Sequence, residues 1–363
     1  MKHLKKIVLA ISLLMLTVLG WKSVKANEFN FSVDPILPTN QAHPKVGYYD
    51  LLLAPGQKQI ITVKLSNQTD NMVAVDVSVA SATTNINGVV EYNPNSIKPD
   101  SSLKYNIKDY TKGPGKVEIP AKTVKNIQVE VTMPNSSFDG LIAGGITFKQ
   151  DKSQIKASKS DSQGISIQNQ YQFVVGLLMQ QTDKLVPPVL DMTNVFPDQV
   201  NHRNVINANF KNSAKGFLKN MVIDANVTHK GQTDVLYKVQ KDNMSMAPNS
   251  NFNFPLQLSG KRFQAGIYTY KADVYGLKDS EGKYSYGKDV HGNPQHYRYH
   301  WKFSKDFTIS SSKASNLNTQ DVTVQPDNSW IYWLIGIILL LILILIFFFI
   351  LWKRRKEEKE EKE

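Results

Sequence analysis

The 363-residue chain contains no cysteine, which excludes disulfides, thiol catalysis, thiolate metal ligation and lipoprotein acylation. Half of its formal charge of +12 sits at the ends: five Lys and no acid precede Asn27, and six bases with five Glu follow Trp352. The region between keeps 32 bases against 26 acids, which permits weak attraction to anionic wall polymers but does not predict nucleic-acid binding.

In chain order, MKHLKKIVLAISLLMLTVLGWKSVKA joins a lysine-rich start to an apolar run and the small residues Val24 and Ala26, so residues 1–26 read as a secretory signal peptide. An exported chain of this size without disulfides points to a bacterial surface protein. Alternation at period two then predicts half-buried strands. Ile61, Val63 and Leu65 share a face in QIITVKLSN, Val73, Val75, Val77 and Val79 in VAVDVSVA, and Ile127, Val129, Val131 and Met133 in NIQVEVTM.

The stretch FDGLIAGGITF, residues 138–148, places Gly144 and Gly145 inside an apolar strand. Glycine weakens a strand interior, so a bulge or close packing against a neighbouring backbone is one explanation. The other is an edge strand whose free N–H and C=O groups accept a partner strand. Residues 149–164 are polar and read as a hairpin tip leading to a strand at 171–180. Pro187 and Pro188 form the hinge, so the first domain is expected over 27–183.

Alternation resumes at Met221, Ile223, Ala225 and Val227, then at Phe252, Phe254, Leu256 and Leu258, then at Tyr268, Tyr270, Ala272 and Val274. The segments 119–148 and 246–274 share a layout, each reading as the last hairpin of a sandwich. This much strand exceeds one sandwich of ~100 residues. The fold class is therefore all-β, two immunoglobulin-like β-sandwich domains plus a single C-terminal transmembrane helix, the second domain covering 184–310. The Ser/Asn/Thr-rich residues 311–329 read as a stalk. Trp330 to Trp352 is an uncharged apolar run edged by aromatics, long enough to span a bilayer. Lys353, Arg354, Arg355 and Lys356 assign the tail, 353–363, to the cytoplasm.

No nucleophile elbow, zinc-protease helix, phosphate loop or dinucleotide fingerprint occurs, so no catalytic residue, cofactor or metal is expected. A two-carboxylate wall-glycan hydrolase stays open, since such pairs are recognised by geometry. In HGNPQHYRYHW, strand geometry would separate His296 and His300 by about 13 Å, too far for one zinc. Aromatic side chains supply the binding candidates: Tyr284, Tyr286, Tyr297, Tyr299 and Trp301, with Tyr48 and Tyr49 in the first domain. Asp139, Gly140, Gly144 and Gly145 complete the candidate set.

The segments FSVDPILPTNQ, GYYDLLLAPGQKQIITVKLSN, TNINGVVEYN, FDGLIAGGITF, YQFVVGLLM, MAPNSNFNFP and FQAGIYTY occur in that order. In them the chain resembles the WxL-interacting proteins of Gram-positive bacteria. The resemblance implies an N-terminal peptidoglycan-binding domain, a C-terminal host-binding domain, one membrane span and a basic tail. It further implies a non-enzymatic adaptor for peptidoglycan and WxL-domain surface proteins, with host extracellular-matrix proteins as a further partner. A host-directed adhesin without specific wall binding is the alternative. The family boundary implied lies near 150–165, ahead of the hinge; both hold if the first strand of the C-terminal unit completes the N-terminal sandwich.

Overall fold

Period-two alternation resolves into two sandwiches in the computed structural model, which describes residues 30–154, 170–325 and 329–360. The expected signal peptide, most of the polar 149–164 segment and the end of the C-terminal tail lie outside the described residues.

The first sandwich contains β1 (Ser32–Ile36), β2 (Tyr49–Leu52), β3 (Lys58–Ser66), β4 (Val73–Ser81), β5 (Thr83–Thr84), β6 (Val90–Glu91), β7 (Thr111–Lys112), β8 (Lys116–Ile119), β9 (Val124–Thr132), β10 (Ile142–Gln150) and β11 (Gln172–Gln180). One sheet runs β1-β3-β9-β7 and the facing sheet β2-β11-β10-β4-β8, with β5 and β6 as a separate hairpin. The inward residues of the alternating strands, among them Ile61, Val63, Val75, Val129 and Phe148, fill one core between the sheets. Pairing is antiparallel except between β2 and β11, which are parallel.

The second sandwich contains β12 (Leu190–Val200), β13 (Arg203–Asn212), β14 (Leu218–His229), β15 (Val235–Met246), β16 (Ser250–Gln257), β17 (Gly266–Lys278), β18 (Tyr284–Lys288) and β19 (Pro294–Ile309). Its sheets run β12-β13-β16 and β15-β14-β17-β19-β18 around a second core that includes Phe210, Phe254, Tyr270 and Val274. The shared layout of 119–148 and 246–274 is not a pair of hairpins. In both, the first strand belongs to the smaller sheet and the second to the larger, so the connection arches across the core.

Two further expectations change. Residues 311–320, read as stalk, form α1 (Ser311–Gln320), capped by the Ser310 side chain and packed onto the second core through Ala314 and Leu317. Sparse apolar residues in a Ser/Asn-rich segment hide this helix from a periodicity reading. The apolar run lies within α2 (Ser329–Glu360), and no residue of its Ile331–Trp352 stretch is buried in the protein.

The strand carrying Gly144 and Gly145 is central, flanked by β4 and β11, so the edge-strand expectation is overturned. What the glycines provide is room. A Cβ at Gly144 would sit 2.3 Å from the Ala80 carbonyl oxygen and 2.7 Å from the buried Ile107, and one at Gly145 would sit 2.6 Å from the Tyr92 carbonyl oxygen.

The sandwiches are clasped together. Ser250 Oγ donates to the Ala247 carbonyl (2.8 Å), and Ala247 N donates to Thr84 Oγ1 (3.0 Å). The Thr84 hydroxyl hydrogen is thereby left for Ser250 Oγ at 2.7 Å, and the relay is buried. Around it, Ser245 N donates to the Gly88 carbonyl (2.7 Å) and Leu141 N to the Lys215 carbonyl (2.8 Å). Gly140, at φ 94°, allows that last approach, because a Cβ there would lie 2.7 Å from the Lys215 carbonyl oxygen. Asp100 of the first sandwich takes Lys211 at 3.1 Å and Asn251 at 2.7 Å from the second.

Gly145→Val should destabilise the protein by about 1–3 kcal/mol or more, the range for overpacking, as read by thermal or urea melts; an unchanged melt contradicts the packing account. Burial pushes the Asp100 carboxyl up, but hydrogen bonds from Ser102, Lys211 and Asn251 outweigh it and hold it below its ordinary 3.8. A depressed carboxylate stabilises fully above its unfolded value and loses that contribution as pH falls through the folded one. Asp100→Asn should therefore cost about 1–3 kcal/mol at neutral pH, and the gap from wild type should shrink below about pH 4. Paired melts at neutral and acid pH measure the difference.

Candidate functional site

Between the sandwiches lies a cleft of ≈ 1180 Å³. Its floor is the outer face of β11, at Val174, Gly176 and Leu178, and Gly176 stands directly opposite Gly145 of the neighbouring β10. Two facing positions without side chains let aromatic residues settle onto the sheet. The Tyr92 backbone covers Gly145, and a Cβ at Gly176 would meet the Tyr48 ring carbon Cγ at 3.5 Å. Burial, followed by the nearby Asp50 charge, raises the Tyr48 phenol, and burial raises that of Tyr92. Both are hydrogen-bond donors throughout the neutral range.

The Tyr48 segment is pinned by a buried carboxylate. Asp50 points away from the core, where its neighbours Tyr49 and Leu51 are buried, and its Oδ2 lies 2.5 Å from His43 Nδ1. Gln180 Nε2 donates to Asp50 Oδ1 at 2.9 Å, and Gln41 bridges from Asp50 N (3.0 Å) to the Tyr48 carbonyl (2.8 Å). A buried carboxyl held by two side chains, on a backbone held by a third, keeps its loop in one conformation.

The opposite wall belongs to the linker and the second sandwich. Lys184, Lys215, Lys219 and Arg298 line it with Phe217 and Tyr299. Lys184 pairs with Asp139 at 2.6 Å, and the Lys215 ammonium lies 5.8 Å from the Phe138 ring centroid. The result is a groove with aromatic rings on both walls and with cations on the second-sandwich side, where Arg298 is already paired with Asp279, suited to a ligand combining apolar ring faces with anionic groups.

Of the sequence candidates, Tyr48, Gly140 and Tyr299 line this cleft; Asp139 reaches it through Lys184, and Gly145 lies beneath Tyr92. Others belong elsewhere. Tyr49 is fully buried, its hydroxyl donates to the Thr62 carbonyl at 2.6 Å, and burial pushes its phenol up to about 12. Gly144 faces the core, Tyr297 is buried, and Trp301 packs against the second core while stacking on Tyr299 at 5.5 Å. Tyr284 and Tyr286 join a separate cluster in which Tyr286, Tyr275 and His300 stack at 4.5 and 4.3 Å. In that cluster the Tyr286 hydroxyl donates to Asp224 (2.7 Å) and His300 Nε2 lies 2.8 Å from Asp273. Sequence reasoning missed Tyr92, Lys215, Phe217 and Lys219. A legible trace of the floor was Gly176, a second glycine inside an apolar strand.

Comparison with protein families matches residues 31–150 to the WxL Interacting Protein peptidoglycan binding domain and residues 162–319 to the WxL Interacting Protein host binding domain. β11 falls within the second match, yet it pairs with β10 and β2 of the first sandwich. Comparison with curated proteins gives no match. Solved structures similar to the chain include the class 5 fimbriae chaperone CfaA, at 14% identity over 76% of this chain and 99% of that one, TM-score 0.26. The Pseudomonas aeruginosa CupB2 chaperone is similar at 9% identity over 71% and 97%, TM-score 0.26. The CsuC–CsuE pre-assembly complex of Acinetobacter baumannii follows at 12% over 62% and 90%, TM-score 0.30. With both domains matched in order, the chain belongs to the WxL-interacting protein family and carries a peptidoglycan-binding domain followed by a host-binding domain.

Proposed function

We propose that the protein is a membrane-anchored, non-enzymatic surface adaptor that holds peptidoglycan in the cleft between its sandwiches and associates with WxL-domain surface proteins. The cleft carries this reading: Tyr48 and Tyr92 offer amphipathic faces for N-acetyl sugar rings, and Lys215 and Lys219 offer cations for the carboxylates of the stem peptides. Clasped walls present these groups at a fixed spacing, which lowers the ordering cost of binding. The chemistry is that of retention rather than turnover. The 22 apolar residues Ile331–Trp352 supply the anchor, with the basic residues after Trp352 on the cytoplasmic side. Association with WxL-domain proteins rests on the family, as do host matrix proteins as ligands of the second domain. For the latter, the Tyr286–Tyr275–His300 stack beside Asp224 and Asp273 is the favoured surface.

Co-sedimentation of the region outside the span with purified peptidoglycan, at low and moderate salt, tests the reading. Tyr48→Ala and Lys215→Glu should each weaken retention about ten-fold, equivalent to about 1.4 kcal/mol, while Tyr286→Ala pellets like wild type. Cleft variants that pellet undiminished would remove the cleft as the wall-binding site.

A further inference from the structure

The folded part of the second domain extends past β19 and α1. Asp321 Oδ2 accepts from Asn204 N at 2.6 Å, Val322 N donates to the His202 carbonyl at 3.1 Å, and Arg262 Nη1 donates to the Gln325 carbonyl at 3.0 Å. α2 begins at Ser329, so three residues separate this anchored end from the apolar helix. The four steps from Gln325 to Ser329 span at most about 14 Å, under two Debye lengths at physiological ionic strength. Whatever the tilt of the ectodomain, this end stays within electrostatic reach of the bilayer surface.

Two exposed basic loops lie at that end. The tight β12–β13 turn, with Asn201 and His202 at φ 51° and 55°, leads into Arg203, and the β16–β17 loop carries Lys261 and Arg262. Asp321 at the same end is 6% exposed and turned inward, and Lys230 is matched by Asp306 at 2.8 Å. Asp234, in the β14–β15 turn, is an exposed acid nearby. Val322, 72% exposed, adds an apolar contact beside the bases.

We infer that this end of the host-binding domain docks on the anionic phospholipid headgroups around its own anchor, through Arg203, Lys261 and Arg262. Charge complementarity selects the occupant, and the short connection supplies a high local concentration of it. Docking sets the tilt of the ectodomain and directs the cleft, at the opposite end of the second sandwich, away from the membrane. The inference rests on the reading of Ile331–Trp352 as a membrane span.

The cysteine-free chain allows a unique label. Full-length protein carrying an environment-sensitive fluorophore on Gln264→Cys is reconstituted into vesicles of phosphatidylcholine, alone or mixed with phosphatidylglycerol, each with a headgroup-quencher lipid. Docking predicts about two-fold stronger quenching in the phosphatidylglycerol vesicles, declining with added salt. The gain should vanish in the Arg203→Glu, Lys261→Glu, Arg262→Glu triple variant, which should retain peptidoglycan pelleting. A label on Ser96→Cys in the first domain should stay unquenched in both. Equal quenching in the two vesicle types, or a gain that survives the triple charge reversal, overturns the docking surface while leaving the span intact. Protein that fails to float with vesicles overturns the span and the docking together.

Discussion

Everything at the candidate site depends on a hydroxyl relay of two side chains and one backbone. Thr84 and Ser250 come from different sandwiches, 166 residues apart, and each satisfies the other while Ala247 closes the circuit through its N–H and C=O. A buried hydroxyl without a partner is costly, so the network is stable only with both domains in place. Beside it, Ala82, Ala143 and Leu178 meet Ala247 and Phe217 in a small apolar cluster. Small residues allow the backbones to approach, and the cleft opens directly next to that contact. Two domains that read as separate units in sequence therefore act as the two walls of one groove.

The strands were legible because period two is imposed by backbone geometry at every position. Which of two adjacent tyrosines faces the core was not. Tyr48 and Tyr49 must point to opposite sides, but the side depends on β2 lying parallel to β11, a pairing that no local pattern announces. Gly144 and Gly145 marked an anomaly whose cause lay in distant residues, Ile107 and Tyr92. α1 escaped notice because Ala314 and Leu317 are its whole apolar face. The cationic wall escaped for a similar reason: Lys215 and Lys219 are unremarkable in sequence and gain meaning from what they face across the cleft.

The family comparison and the fold divide the chain differently, and the difference is informative. The two matched segments part between residues 150 and 162, whereas the structural division falls in the linker after β11. Since β11 supplies Gly176 and Leu178 to the floor, the groove draws on both matched segments even before the second sandwich contributes its wall.

The β2–β11 pairing also bears on how the chain acquires its fold. Tyr49 aligns with Leu177, so a strand made early waits for well over a hundred residues before its partner exists. Loop closure on that scale is slow compared with local hairpin formation, and parallel pairing gives no nearby turn to nucleate it. Until Gln180 has emerged, β10 presents an uncovered edge and the sheet that will carry the cleft is two strands short. As the chain grows from its N-terminus, the first sandwich becomes complete only as synthesis enters the linker. Its closure thus comes before the clasp, whose second-sandwich residues, Lys215 and Ser245 to Asn251, lie further along the chain.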